Sequence, residues 1–378
     1  MDFSLNDDHL ALRDAVQRFC DGEYPAEHRG SPETGSQAAA RWAGMASLGL
    51  LGLPLPEEAG GSGQGAVEVM LVAQELGRAL GGGAFVASTV MAGRLLTRLG
   101  SADQRARWLP ALASGELQAA VALYEDGVRY DWPAARASAR QTGAGWLLQG
   151  RKTLVLHGDT AGLLLMVARS AGEPGQSDGL SVFALDAGSP GVEVTGFDTL
   201  DGRRAAHVVL RDVLVPADRL LGPAGAAAEA VDEALDAGVA ALCAEAAGAV
   251  DVLLAQTAEH LRTRRQFGAP LAKFQVLQHR IADMAIALEQ LKSMACAAAM
   301  AVDAGEPALR RRLVSAAKVL AGQLGRAQGF AAIQMHGAMG MTDECRAAHY
   351  AKRLMVIGQL FGDASWHLQR MSAASAPA

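Results

Sequence analysis

The sequence predicts an α+β chain built as three consecutive domains, and three observations carry that prediction. Helical periodicity fills roughly the first third. Short strands with Gly, Pro, Ser and Asp between them fill the middle. Four long apolar-patterned stretches fill the rest. Helices, then strands, then helices indicate separate domains rather than an alternating α/β sheet. We place the boundaries at 1–118 for an N-terminal helical domain, 119–222 for a β-domain and 223–378 for a helical bundle.

In the first domain, Ser4 followed by Asp7 reads as a capping box. Leu10, Leu12, Val16 and Phe19 then recur near helical spacing. A second helix is expected from Ala38 to Leu51, ending at Gly52 and Pro54. A third runs from Val67 to Leu80 and breaks at glycines 81–83, and helical signals continue from Ala87 to Leu112. In the second domain, Trp146 to Leu156 reads as two strands around a Gln149-Gly150 turn. Further strands are expected at Leu163 to Ala168, Leu180 to Leu185, Val192 to Thr195 and His207 to Leu210, in a small antiparallel barrel or sandwich. In the third, the stretches 224–262, 271–303, 307–338 and 344–370 are long enough to pack as a four-helix bundle. Ala373 to Ala378 read as a loose tail.

Of the 378 residues, half are apolar, enough for substantial cores, and the net charge of −6 argues against a broad nucleic-acid surface. Apolar runs such as Leu163 to Ala168 fall far short of the roughly 20 residues of a membrane span. The start, Met1-Asp2-Phe3-Ser4, carries no basic region or long apolar run, so no secretory signal is expected, and the expected compartment is a reducing cytoplasm. Cys20, Cys243, Cys296 and Cys345 form no CxxC pair, so buried free thiols are expected rather than a metal site or disulfides. The run Arg310-Arg311-Arg312 reads as a solvated helix face, and Met335, Met339 and Met341 as core packing.

The element order, together with four local strings, resembles the acyl-CoA dehydrogenase family across essentially the whole chain. The strings are Leu55-Pro56-Glu57-Glu58 with Gly60-Gly61-Ser62-Gly63; Asp212-Val213-Leu214-Val215-Pro216; Arg264-Arg265-Gln266-Phe267-Gly268 with Gln275; and Gln334-Met335-His336-Gly337-Ala338-Met339-Gly340. The resemblance implies a helical domain, a small antiparallel β-barrel and a four-helix bundle, with FAD between the barrel and the bundle. It also implies introduction of an α,β double bond into an acyl-CoA thioester. A carboxylate takes the α-proton, a hydride passes from the β-carbon to the flavin, and an electron-transfer flavoprotein is the acceptor.

The residues that the resemblance assigns to the flavin divide into two sets. One set serves the flavin of a dimer-related neighbour: Arg264, Phe267, Gln275, Gln334 and Gly337, with Ala338 where the family has a second glycine. An arginine fork suits a diphosphate, and glycine lets backbone N–H groups approach phosphate. The chain's own set departs from the family. The loop expected to touch the flavin ring reads Tyr124-Glu125-Asp126-Gly127-Val128-Arg129-Tyr130-Asp131, with Tyr124 and Tyr130 in place of a threonine and a serine. The strand beside the ring reads Leu154-Val155-Leu156, which lacks the hydroxyl that would hydrogen-bond the flavin, followed by His157, which reads as a structural histidine at a strand end, with replacement of that hydroxyl as the alternative. The position of the family's catalytic glutamate is Gly362, in Phe361-Gly362-Asp363-Ala364. Two candidate bases remain. Asp363 stands one residue on, about 100° around a helix, and Glu245 lies one turn beyond Ala241, near which a second family base site aligns. For each, a structural carboxylate (paired, or capping a helix) is the alternative.

This division resembles paired-chain family members of α2β2 form, the small subunits of pimeloyl-CoA dehydrogenase in particular. It implies an oxidoreductase subunit that works with a paralogous dehydrogenase chain. Three other readings stay open: a self-sufficient homo-oligomer using Glu245 or Asp363, a non-catalytic partner that completes the FAD site of an active paralogue, and a flavin oxidase or monooxygenase on the same fold.

Overall fold

The structure is a computed structural model, and residues 4–25 and 35–375 are described. Helix α1 (Asp7–Glu23) starts at Asn6, not Ser4: the Asn6 side chain accepts from the His9 N–H at 2.8 Å, and the His9 ring reaches back to the Asn6 N–H. Then come α2 (Gly35–Ser47), α3 (Ala66–Ala79), a π-helical turn (Val86–Ala92), α4 (Gly93–Leu99) and α5 (Ala102–Ala113).

The β-domain holds an eight-stranded sheet of β1 (Ala119–Ala122), β2 (Ser138–Thr142), β3 (Gly145–Leu156), β4 (Leu163–Arg169), β5 (Leu180–Asp186), β6 (Val192–Asp198), β7 (Arg204–Val215) and β8 (Leu220–Leu221). The order is β6-β7-β3-β2-β4-β5-β8, with β1 pairing parallel to β4, so the sheet is mixed rather than wholly antiparallel. The turn expected at Gln149-Gly150 is a bulge inside one twelve-residue strand. Gly150 has φ 145°, and the register against β7 shifts there. Strand β4 is buried on both faces. Leu163, Leu165 and Val167 face the core shared with the helices, while Leu164, Met166 and Ala168 face a second core inside the β-domain.

The last domain contains α6 (Ala228–Thr263), a hairpin of β9 (Arg265–Gln266) and β10 (Ala269–Pro270), α7 (Gln275–Asp303), α8 (Pro307–His336), α9 (Arg346–Gln359) and α10 (Ala364–Ser375). The fourth long helix expected at 344–370 is thus two helices, broken where Phe361 has φ 59° and Gly362 φ 118°. The expected tail begins inside α10, and 376–378 lie outside the described residues. Helices α6 and α7 are long and apolar enough to cross a membrane, but the apolar window of α6 is 89% buried, as in a core helix. Helix α6 packs closely on α3: a Cβ at Gly77 or Gly248 would collide with the backbone of the opposite helix.

All four cysteines are free. Cys20 and Cys243 are buried, whereas Cys296 and Cys345 are half-buried. Arg310 corrects the reading of its run as a solvated face. It is buried, donating through Nε to Asp236 and through Nη2 to Glu229 at 2.9 Å each, within a network that also takes in Asp232, Arg311 and Arg370. Met335 is buried, but Met339 and Met341 are exposed rather than in the core.

Candidate active site

The residues that the resemblance assigns to a neighbour's flavin gather at one corner of the bundle. Helix α6 ends at Arg264, and the β9–β10 hairpin folds back so that the Leu271 N–H donates to the Arg264 carbonyl at 2.9 Å. Phe267 sits at the hairpin tip with φ 52° and 89% exposure, edge-on to Phe274. Gln275 opens α7. Helix α8 ends at Gly337, whose φ of 67° stops it. The rings of His260 on α6 and His336 on α8 stack at 4.4 Å and pin the two helix ends together. Arg264, Phe267, Gln275, Gln334, Gly337 and Ala338 are all exposed. No hydrogen bond or ion pair engages the Arg264 guanidinium among the described residues. The corner therefore offers a free cation, amides and a glycine turn to something outside the chain.

The chain's own set is packed shut. The loop after β1 is anchored by Glu125, which accepts from the Arg136 and Ala137 N–H groups at 2.7 and 2.9 Å and from buried Lys152 Nζ at 2.7 Å. This anchor seats Tyr124 in the interior, where its ring stacks on Phe361 with centroids 6.4 Å apart. Another ring slipped between them needs about 7 Å, two carbon–carbon contacts. The Tyr124 hydroxyl is buried with no partner among the described residues, and burial pushes its pKa up. At Gly362 a Cβ would stand 2.5 Å from Trp366 Cε3 and 2.7 Å from His367 Nε2. The position has neither the room nor the backbone conformation for a glutamate.

The break at Gly362 is held by groups that pattern reading did not single out. Buried Lys318 donates to the carbonyls of Gly358 and Gly362 at 3.2 and 2.6 Å, and burial lowers its pKa to about 8. His367 sits between Ser315 Oγ and the Phe361 carbonyl, kept neutral by burial with a pKa of about 3. Asp363 caps α10, accepting from the Trp366 N–H at 2.9 Å through Oδ1 and from Arg129 at 3.1 Å through Oδ2.

Glu245 is fully enclosed. Arg353 donates Nε to Oε1 and Nη2 to Oε2, both at 2.7 Å, and Arg203 donates to Oε1 at 2.6 Å. Arg353 also reaches Asp201 at 2.7 Å, and Arg203 the Gly81 carbonyl at 2.7 Å. Burial alone would raise the Glu245 pKa, but the two guanidiniums outweigh it and hold the carboxyl below its ordinary range. A carboxylate so satisfied is a poor proton acceptor, and its geometry is that of a structural group tying the bundle to the β-domain and to the α3 exit. His157 stands nearby in the left-handed region, at φ 53°, and burial and Arg203 lower its pKa to about 4. The structure brings the six residues that the resemblance assigns to a neighbour's flavin to one corner and leaves Glu245 and Asp363 apart from it, each already engaged.

Comparison with known proteins agrees with this architecture. Family models match in order along the chain: the acyl-CoA dehydrogenase N-terminal domain over residues 6–116, the middle domain over 120–213 and the C-terminal domain over 228–375. The chain belongs to the acyl-CoA dehydrogenase family. It is 30% identical over 352 residues to acyl-CoA dehydrogenase FadE12 of Mycobacterium tuberculosis, covering 90% of this chain and 89% of that one. It is 30% identical over 312 residues to the mitochondrial short-chain specific acyl-CoA dehydrogenase of Mus musculus, covering 81% and 75%. Among solved structures, the Tcur3481–Tcur3483 steroid ACAD superposes with a TM-score of 0.87 at 28% identity over 98% of both chains. Glutaryl-coenzyme A dehydrogenase in its glutaryl-CoA complex gives 0.89 at 25%, over 98% and 96%.

Members of this acyl-CoA dehydrogenase family are oxidoreductases, and FAD is the family's cofactor. The residues here fit that cofactor on one side only. Arg264 and Gly337 have the chemistry to hold a diphosphate, whereas on the loop that the resemblance assigns to the flavin ring, Tyr124 lies against Phe361.

Proposed function

We propose that the chain is an acyl-CoA dehydrogenase subunit whose Arg264 corner completes the FAD site of a second, paralogous chain in a mixed oligomer. One observation carries the proposal: the neighbour-facing residues are exposed and unspent, while the chain's own ring and base positions are filled by Tyr124, Phe361, Trp366 and His367. The steroid ACAD that the chain resembles is itself named as a pair, Tcur3481–Tcur3483. FAD, when bound, supplies the hydride acceptor for desaturation of an acyl-CoA. Arg264 fixes the diphosphate through its planar fork, and Gly337 lets backbone N–H groups approach it. Phe267, exposed at the hairpin tip, offers the second chain an apolar surface to cover. Glu245 and Asp363 are both engaged, so the α-proton goes to a carboxylate of the second chain. An electron-transfer flavoprotein takes the electrons.

The test is the visible spectrum of the chain expressed alone and with a paired dehydrogenase. The expected result is a colourless single chain and a yellow complex that bleaches with acyl-CoA. A single chain that purifies with stoichiometric flavin and bleaches overturns the proposal in favour of a self-sufficient enzyme.

A further inference from the structure

The corner is made of two segments that meet only in space. Arg264, Phe267 and Gln275 follow the end of α6, and Gln334, Gly337 and Ala338 close α8. A ligand that touches both Arg264 and the Gly337 turn needs the two helix ends at a fixed spacing. The pair His260–His336 stands where that spacing is set, and nothing in the flavin reading uses it. The ring centroids lie 4.4 Å apart with the planes 26° from parallel, a stacked arrangement. Both residues are half-buried. Each ring is tied to backbone that presents a ligand group. His260 lies one helical turn before Arg264, and its carbonyl accepts from the Arg264 N–H at 2.9 Å. His336 directly precedes Gly337. The Ala332 carbonyl can only accept, so His336 Nδ1 donates to it, at 2.8 Å, and this bond fixes the ring plane. Burial, the His336 ring and Arg264 hold the His260 pKa below its ordinary value, so its ring is uncharged at neutral pH.

We propose that His260 and His336 are positioning residues: their stacked rings hold Arg264 and the Gly337 turn at the separation that one diphosphate bridges. The role rests on the reading of the corner as part of a flavin site. The pair acts through Arg264 and Gly337 and touches no cofactor itself. A flat ring at position 260 sets the spacing, so phenylalanine should replace it. A small side chain leaves a gap into which the helix ends shift.

The experiment is FAD titration of the apo mixed complex, followed by flavin fluorescence, with variants of this chain. His260→Ala is expected to weaken FAD binding about three- to tenfold, the worth of one stacked ring pair, and His260→Phe to stay within about twofold of the unaltered complex. In an Arg264→Ala background, His260→Ala is expected to cost less than about twofold, because the main group it positions is gone. His260→Leu keeps apolar volume without a flat ring, is expected to match His260→Ala, and serves as the second variant should that one disturb folding. FAD affinity unchanged in both His260→Ala and His260→Leu overturns the positioning role. So does an equal loss in His260→Phe, or a loss in His260→Ala that is as large without Arg264 as with it. Arg264→Ala alone separates the two ideas. If it leaves FAD affinity unchanged, the corner reading falls and the role of the pair with it. If it weakens FAD while His260→Ala does not, the corner reading stands and the pair is packing only.

Discussion

The corner at Arg264 and the break at Gly362 are both interruptions of helices in one bundle, and both use left-handed backbone. Phe267 and Gly337 serve the first; Phe361 and Gly362 serve the second. Their surroundings are opposite. At the corner Arg264, Phe267, Gln275 and Gln334 are exposed, and among the described residues nothing pairs with the arginine. At the break a buried lysine and a neutral histidine hold the backbone, and even a Cβ at Gly362 would collide with Trp366 and His367. The same backbone device can thus present a surface or seal one, depending on whether large side chains follow it. Trp366 and His367 seal the break, whereas Gly268 and Ala338, small and exposed, leave the corner open.

The largest effect that tests this contrast concerns Glu245. If it is structural, Glu245→Gln leaves two buried guanidiniums short of a charge and costs about 3–5 kcal/mol in unfolding free energy, measured by denaturant titration. Its folded pKa lies below the unfolded value, so its stabilising contribution is complete above the unfolded carboxylate range and fades as pH falls through the folded pKa. Retained stability with lost turnover in the variant would instead make Glu245 a base. Arg264→Ala comes next. Because the side chain is exposed and unpaired, stability should be unchanged while FAD affinity of the mixed complex falls about 10–100-fold, the loss of a charge-assisted contact worth about 1.5–3 kcal/mol. A complex that keeps both flavin and activity would remove the corner from the site.

Acid should act on the sealed region before it acts on the corner. His367 is buried and His157 half-buried, and desolvation keeps both neutral, with pKa values of about 3 and 4, below the unfolded histidine value. The unfolded chain therefore binds more protons. Stability present above the unfolded pKa of about 6.5 is lost as pH falls below it, by up to about 1.4 kcal/mol per pH unit for each group. Melting temperatures between pH 7.5 and 4.5 should fall steeply, and less so in His367→Gln; a flat profile would mean that the break is open to water.

Helix periodicity and strand punctuation made the helical–β–helical order of the domains legible, because burial of one face imposes the period directly on the sequence. The local strings brought out two segments of the corner, 264–275 and 334–338, because the residues within each are near in sequence; that the two segments meet, with His260 stacked on His336, was not announced. The Glu245 cluster was not legible. Arg203 and Arg353 lie 42 and 108 residues away in sequence, and nothing local to Cys243–Ala246 announces them. Arg310 misled for the same reason: a run of three arginines looks solvated until acids on α6 and an arginine on α10 enclose its first member. The two-strand reading of Trp146 to Leu156 failed because Gly150 supports a bulge as well as a turn. The break at Phe361–Gly362 hid within an apolar stretch whose period continues on both sides.

The smallest expected effect is also the most diagnostic of the sealed side. The Tyr124 hydroxyl is buried, unpartnered and stacked over Phe361. An unsatisfied buried hydroxyl costs about 1–3 kcal/mol of desolvation with no bond to offset it, so its removal restores part of that cost while the ring contact survives. Tyr124→Phe should therefore stabilise the isolated chain by up to about 1 kcal/mol in denaturant titration and leave flavin content of the mixed complex untouched. If the hydroxyl instead serves a flavin bound by the chain itself, the same substitution lowers flavin content. Stability and flavin content would then move in opposite directions, and the distinction between an open corner and a sealed interior would fail at the residue where it is most sharply drawn.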